Sequence, residues 1–371
     1  MEKKIIMLFA VILVICLVVV AYLQLPMFGQ LPHGDRLVRI ERSPNYKNGC
    51  FHNMLETPVM VESFISYMKD FFSRKRKNFK PSYVIPSIKT DLRNIDIDEN
   101  ILVWFGHSSY FAQINGKKFL IDPLFSEISS PILFSPRAFE GTNIYSTEDM
   151  PDLDYLVITH DHWDHLDYKT VVKLRDRVRK VICPLGVGAS LELWGFDSKQ
   201  IREMDWYDSE KSSDGNFVIY CLPSRHFSGR GLMRNKTLWA SFLICADNLK
   251  VYFSGDSGYD EHFAEIENRF GPMDIVMLDS GQHDLAWRYI HMQTNEVIKA
   301  AKDLKAKVLI PAHICKLALA NHAWDEPLNE LAEMMKNENF SMVVPMIGEK
   351  VNLKNPTQLN KNWWKKNRED R

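Results

Sequence analysis

The sequence predicts an α/β protein in which two β-sheets pack together and carry helices on their outer faces, behind one apolar segment at the N-terminus. Three observations predict it. From residue 101 onward, short apolar runs rich in Val, Ile, Phe and Tyr follow one another, each closed by a turn or polar cluster: ILVWFG, KKFLIDP, DYLVITH, KVICPLG, FVIYCLPSRH, SFLICADN, KVYFSGD, DIVMLDSG and KVLIPAH. Runs that are apolar at every position suit sheets covered on both faces. Helical patterns intervene at about 168–178, 262–269, 294–304 and 326–336. No internal repeat or low-complexity segment interrupts this texture.

The elements before residue 101 differ in kind. After MEKK, the run 5–25 is apolar and uncharged, and at about 1.5 Å per residue it crosses a hydrocarbon core of roughly 30 Å. Residues 1–25 are therefore expected to be a retained membrane anchor. A cleaved signal peptide is the competing reading, but the run is longer than the usual apolar region and no small-x-small site follows it. Lys3 and Lys4 favour a cytoplasmic N-terminus with the folded domain on the extracytoplasmic side; Arg36, Arg39 and Arg42 on the other flank pull against that orientation. Residues 26–100 read as an extended arm rich in Pro, Gly and Asn, followed by an amphipathic helix at 59–76 with Val61, Phe64, Ile65, Met68 and Phe72 on its apolar stripe. That helix runs into RKRK at 74–77, a solvated helix end or a contact for anionic lipid headgroups. The α/β domain is expected over 101–350. Residues 351–371 form a basic tail, in which Trp363 and Trp364 either pack on the domain or touch a membrane interface.

Composition excludes several functions. A formal net charge of −1 over 371 residues offers no basic face for nucleic acid. The cysteines at 16, 50, 183, 221, 245 and 315 form no CxxC pair, so neither a disulfide framework nor a zinc ribbon is indicated. Nothing in the sequence reports an oligomeric state.

The chemistry concentrates in THDHWDHLD, residues 159–167, directly after the strand-like DYLVI. Residues i and i+2 of an extended segment project to one side, so His160 and His162 converge on one metal. Asp164 and His165 follow after the chain turns and face a second metal. His226, Asp256 and His313 each end another β-run, and strand ends are where α/β sheets gather functional side chains. Five histidines and two aspartates supply two sites of three ligands with one shared carboxylate. Imidazole and carboxylate suit two divalent ions, zinc foremost, with manganese or iron as alternatives. The absence of cysteine ligands argues for an open catalytic site rather than a closed structural one. His107 in WFGHSSY is expected near the site, either supporting it or as a plain structural histidine, and Asp122 in LIDP is expected to orient a ligand. Ser108 and Ser109 lack a nucleophile elbow. His52, His262, His283 and His322 read as surface or loop residues.

These residues resemble the metallo-β-lactamase superfamily, whose αββα fold carries a dimetal centre at the edge of two packed sheets. WFGHSSYFAQINGKKFLIDPLFS, RHFSGRG, TLWASFLI, FSGDSGY, RFGPMDIVMLDSG and WRYIHMQTNEV, together with the arm LPMFGQLPHGDRLVRIERSPNYKNGCF, are similar to the branch containing the N-acyl-phosphatidylethanolamine-hydrolysing phospholipase D and its bacterial relatives. The resemblance implies that His160, His162 and His226 hold the first metal, that Asp164, His165 and His313 hold the second, and that Asp256 bridges them. It implies catalytic roles for Asp164 and His291, with His291 contacting substrate or leaving group. Trp163 stands where these relatives usually have Tyr and is expected to line the mouth of the site. DSGQHD at 279–284 departs from the phospholipase itself and matches a version found in sugar-lactone and other bacterial relatives.

The expected function is a membrane-anchored hydrolase cleaving N-acylated phospholipids to phosphatidic acid and an N-acylethanolamine. The alternative is the same chemistry on a soluble phosphodiester or lactone. A third reading, from another class, is a non-catalytic anchored protein that metals merely stabilise.

Overall fold

The computed structural model describes residues 2–61, 65, 78–132, 135–359 and 362–365. Helix α1 (Glu2–Leu23) is formed by the N-terminal apolar run. Its stretch Lys3–Leu23 has a mean hydropathy of 3.3 and no buried share, the length and polarity of a membrane span. The arm continues through α2 (Gly34–Glu41) and a hairpin of β1 (Tyr46–Lys47) and β2 (Cys50–Phe51). The amphipathic helix expected at 59–76 and the RKRK cluster lie, but for a few positions, outside the described residues.

Two seven-stranded sheets follow. The first contains β3 (Ile101–Trp104), β4 (Tyr110–Ile114), β5 (Lys117–Ile121), β6 (Leu153–Val157), β7 (Val178–Pro184) and β8 (Ile201–Met204). The second contains β9 (Ser209–Lys211), β10 (Phe217–Leu222), β11 (Ser241–Ala246), β12 (Leu249–Phe253), β13 (Ile275–Asp279), β14 (Val308–Ala312) and β15 (Ser341–Met342). The last strand, β16 (Lys350–Asn352), returns to the first sheet and pairs antiparallel with β3. Each sheet is antiparallel on one side and parallel on the other, with spatial orders β16-β3-β4-β5-β6-β7-β8 and β15-β14-β13-β12-β11-β10-β9.

The period-2 alternation of strands explains why the runs are apolar throughout. In β3, Leu102 and Trp104 face the inter-sheet core with Phe119, Phe242 and Phe253, whereas Ile101 and Val103 face outward. The outward face of the first sheet is covered by α3 (Tyr168–Leu174) and α4 (Gly188–Leu193), through Val171, Leu174 and Leu191. The second sheet is covered by α5 (His262–Phe270), α6 (Thr294–Asp303) and α7 (Glu326–Met334), through Phe263, Ile266, Val297 and Leu331. Each such side chain contributes about 1.5–3 kcal/mol on leaving water. The result is the four-layer αββα architecture that the sequence predicts.

The boundary expected at 350 is corrected by packing. β16 straddles it, and Trp363 and Trp364 are buried in the inter-sheet core, where their indole nitrogens donate to the Val344 carbonyl and to Asn329 Oδ1. The described part of the tail therefore belongs to the domain. Arg36 and Arg39 are likewise not free flanking charges: Arg36 bonds Glu192 and Glu203, and Arg39 bonds Glu203, which fastens the arm to the domain.

Candidate metal centre

Strand directions place the C-terminal ends of β3, β5 and β6 on one edge of the first sheet, and those of β10, β12, β13 and β14 on one edge of the second. The two edges meet where His107 and Ile314 form a β-bridge. Gly255, just ahead of Asp256, adopts φ +59, and a Cβ there would lie 2.9 Å from Thr159 Cβ and 3.0 Å from the Ala240 carbonyl. Only glycine allows the strand ends to approach so closely.

All seven expected ligands come together. His160 Nε2 lies 2.9 Å from His162 Nδ1, and His226 Nε2 lies 3.1 Å from the same atom. Asp256 Oδ2 is 3.8 and 3.7 Å from His160 Nε2 and His226 Nε2. Its other oxygen, Oδ1, is 3.0 Å from both His165 Nε2 and His313 Nδ1. His165 Nε2 is in turn 3.7 Å from Asp164 Oδ2. Potential ligand atoms of His160, His162, His226 and Asp256 lie within 4.8 Å of one another, as do those of His107, Asp164, His165 and His313. Asp256 thus faces one group with each oxygen.

The donor set fits two cations. His226 Nδ1 donates to the Ile290 carbonyl, 2.9 Å away, so its Nε2 carries a lone pair toward His162. Burial lowers the pKa of His160, His226 and His313 well below the ordinary value and holds them neutral. Bare imidazole nitrogens about 3 Å apart repel one another unless a proton or metal stands between them. Burial also opposes charge on His165, yet Asp256 and Asp164 raise its pKa well above the usual range, as a cation-seeking cluster would. Among the described residues His165 Nε2 and Asp256 Oδ1 are buried and, although 3.0 Å apart, make no well-formed hydrogen bond to each other or to any other group. Such orphaned atoms cost about 1–3 kcal/mol each unless something occupies the space between them.

A supporting layer fixes these ligands. Asp122 accepts from His165 Nδ1 and from the Thr159 backbone N–H, each at 2.8 Å, which is the orienting part expected of it. His107 contacts Asp164 Oδ2 at 2.8 Å through Nε2 and packs its ring 4.0 Å from that of His313. Burial disfavours the Asp164 anion, but His165 and His107 hold its carboxyl well below the ordinary range. His107, Asp122 and His313 all have positive φ, at 56°, 41° and 61°, a strain that clusters at functional sites. Of the remaining members of the motif, Asp161 accepts from Gly229 N and Thr237 Oγ1, and Asp167 caps α3.

His291 sits over the centre with its ring 5.1 Å from those of both His226 and His313. Its Nδ1 meets Asp279 Oδ2 at 2.7 Å, leaving Nε2 for the cavity. Burial pushes Asp279 up to about 6. Burial also opposes charge on His291, but Asp279 keeps the imidazole above its ordinary value. Sequence reasoning gave Asp279 no part, although its place at the end of β13 was a signal. The cavity above the ligands encloses about 280 Å³ and is lined by Met60, Phe227, Gln282, Trp287 and His291, among others. Gln282 of the DSGQHD segment uses its side-chain amide to brace residues 317–320. Trp163, expected at the mouth of this cavity, instead lines a neighbouring one of about 530 Å³ with Met27, Ile132 and Tyr168. Phe28 meets its ring edge-on at 5.1 Å.

The beta-lactamase superfamily domain family matches residues 117–314. An uncharacterized protein of Mycobacterium tuberculosis is 34% identical over 88% of each chain. The N-acyl-phosphatidylethanolamine-hydrolyzing phospholipase D 1 of Caenorhabditis elegans is 29% identical over 62% of this chain and 68% of its own. Among solved structures, CmlA, a diiron β-hydroxylase from Streptomyces venezuelae, superposes with a TM-score of 0.53 at 19% identity, covering 68% of this chain and 54% of that one, a likeness of fold alone. The chain belongs to the metallo-β-lactamase superfamily, whose members are metal-dependent hydrolases built around a dinuclear site.

Proposed function

We propose that this protein is a membrane-anchored, dinuclear-metal phosphodiesterase of the phospholipase D type. Its substrates are N-acyl-phosphatidylethanolamine-like lipids, and its products are N-acylethanolamine and phosphatidic acid. The observation that carries the reading is Asp256, one oxygen toward His160 and His226 and the other toward His165 and His313, beneath a cavity that His291 overlooks. His160, His162 and His226 would hold one ion and Asp164, His165 and His313 the other, with Asp256 placed between the two groups. Zinc suits the donors, and manganese or iron are accepted by the same set. Two such ions, when bound, supply positive charge for a phosphoryl oxygen and an acidified water as nucleophile.

The side chains do the rest. Asp164, pinned through one oxygen by His107, orients the attacking water with the other and takes its proton. Water oxygen bonds to phosphorus, and the bond to the ethanolamine oxygen breaks. His291, steadied by Asp279, gives the proton from Nε2 to that leaving oxygen. Met60, Phe227, Trp287 and Ile290 keep bulk water from the reacting atoms. The anchor α1 holds the centre beside a bilayer, with the domain on the extracytoplasmic side.

A cavity of about 280 Å³ holds a headgroup rather than a whole lipid. That volume favours, as the second reading, a small phosphodiester or lactone. Purified protein with N-acyl-phosphatidylethanolamine in detergent micelles decides between them. Release of N-acylethanolamine is the expected result. Its absence, alongside turnover of a soluble phosphodiester or lactone, establishes the second reading.

A further inference from the structure

Arg230 lies in the loop after His226 and is only 5% exposed. Among the described residues its four hydrogen bonds all end on backbone carbonyls. A buried cation is costly unless something specific uses it. Here one nitrogen, Nη1, donates to the carbonyls of Asp161, at 2.9 Å, and Leu166, at 2.8 Å. Those two carbonyls bracket His162, Asp164 and His165. The opposite edge of the guanidinium, through Nε and Nη2, grips the Met27 carbonyl of the arm at 3.2 and 2.9 Å. Its flat face lies 3.9 Å from the Trp163 ring centre, and Trp194 stands 5.3 Å away. Trp194 itself holds the Pro26 carbonyl at 2.7 Å. Phe28 then joins Trp163 to Tyr22 near the end of α1, with ring centres 5.1 and 5.3 Å apart.

We propose that Arg230 is a positioning residue: it sets the width of the ligand loop 161–166 and ties that width to the arm leaving the membrane span. This rests on the metal-hydrolase reading above. The planar fork of arginine reaches three carbonyls from two edges, which the point charge of lysine does not. The Trp163 side chain is then the face against which the fork is held, which gives this tryptophan a part outside the metal cavity.

The test uses the full chain in detergent, with Arg230→Lys and Phe28→Ala compared with wild type. Metal loss to a chelator, kcat and KM, and thermal unfolding are measured. Arg230→Lys is expected to lose metal about 10-fold faster, with kcat falling further than KM rises. Phe28→Ala touches no ligand, yet is expected to speed metal loss severalfold while remaining folded. Wild-type metal retention and kcat in a folded Arg230→Lys variant overturn the positioning role. If that variant fails to fold, Phe28→Ala decides, and wild-type retention there overturns the coupling. A wild-type protein that is folded and metal-free overturns the hydrolase reading instead, so the two failures are distinguishable.

Discussion

Asp122 makes no contact with the cavity, yet its carboxylate fixes Thr159 and His165 together and thereby fixes which nitrogen of His165 faces Asp256. Asp122→Asn turns one acceptor into a donor facing His165 Nδ1. Metal affinity is expected to fall about 10–100-fold in a chelator titration, and unchanged affinity contradicts the orienting role. Lys316 offers a different test. Burial pushes it down to about 7 from 10.5, and its ammonium donates to the carbonyls of Phe105 and Leu124. Below pH 7 folded and unfolded chains both hold the proton, so the burial penalty is full. Between pH 7 and 10.5 the unfolded chain binds the proton that the folded one has released, and stability rises with pH. Denaturant unfolding should show wild type gaining up to about 2–3 kcal/mol relative to Lys316→Met from pH 7 to 9; a constant difference contradicts this. At this scale the ligands were legible because His-x-His-x-Asp-His is dense and sits at a strand end. Arg230 was not, because its partners are backbone carbonyls distant in sequence, and Asp279 offered only its strand-end place, its partner His291 lying beyond that strand. The direction of Trp163 was not legible either, since its ring neighbours Phe28 and Arg230 both come from outside the motif.

At the scale of elements, the apolar runs read correctly as central strands because both faces of each sheet are covered. The edge strands escaped that signal. β9 is Ser209–Lys211, polar and short, while β16 is recruited to β3 from the far end of the chain. Non-local pairing leaves no periodic mark on either partner. The helices at 168–178 and 326–336 begin where expected but end earlier, each passing into a 3-10 turn. The arm makes its own prediction. Gly29 has φ +76, and a Cβ there would stand 2.3 Å from Ser190 Oγ. Gly29→Ala is expected to destabilise the domain by about 1–3 kcal/mol, read from the denaturant midpoint. An unchanged midpoint means that the arm is not seated on α4 as described.

At the scale of the molecule, one helix of mean hydropathy 3.3 leads into an arm whose Met27 carbonyl accepts from Arg230, the residue that also bonds the 161–166 loop. A chain beginning at Gln24 keeps Pro26 to Phe28 and the contacts of Arg230 described above, so it is expected to remain in the supernatant, folded and metal-loaded, whereas the full chain sediments with membranes. Sedimentation of the shortened chain contradicts the anchor. The central claim is that two ions share Asp256, and metal analysis tests it most directly. Purified wild type should contain close to two ions per chain, and Asp256→Asn should lose much of that metal while keeping its circular-dichroism spectrum. A fully folded, metal-free wild type, or an Asp256→Asn variant that retains both ions, contradicts it.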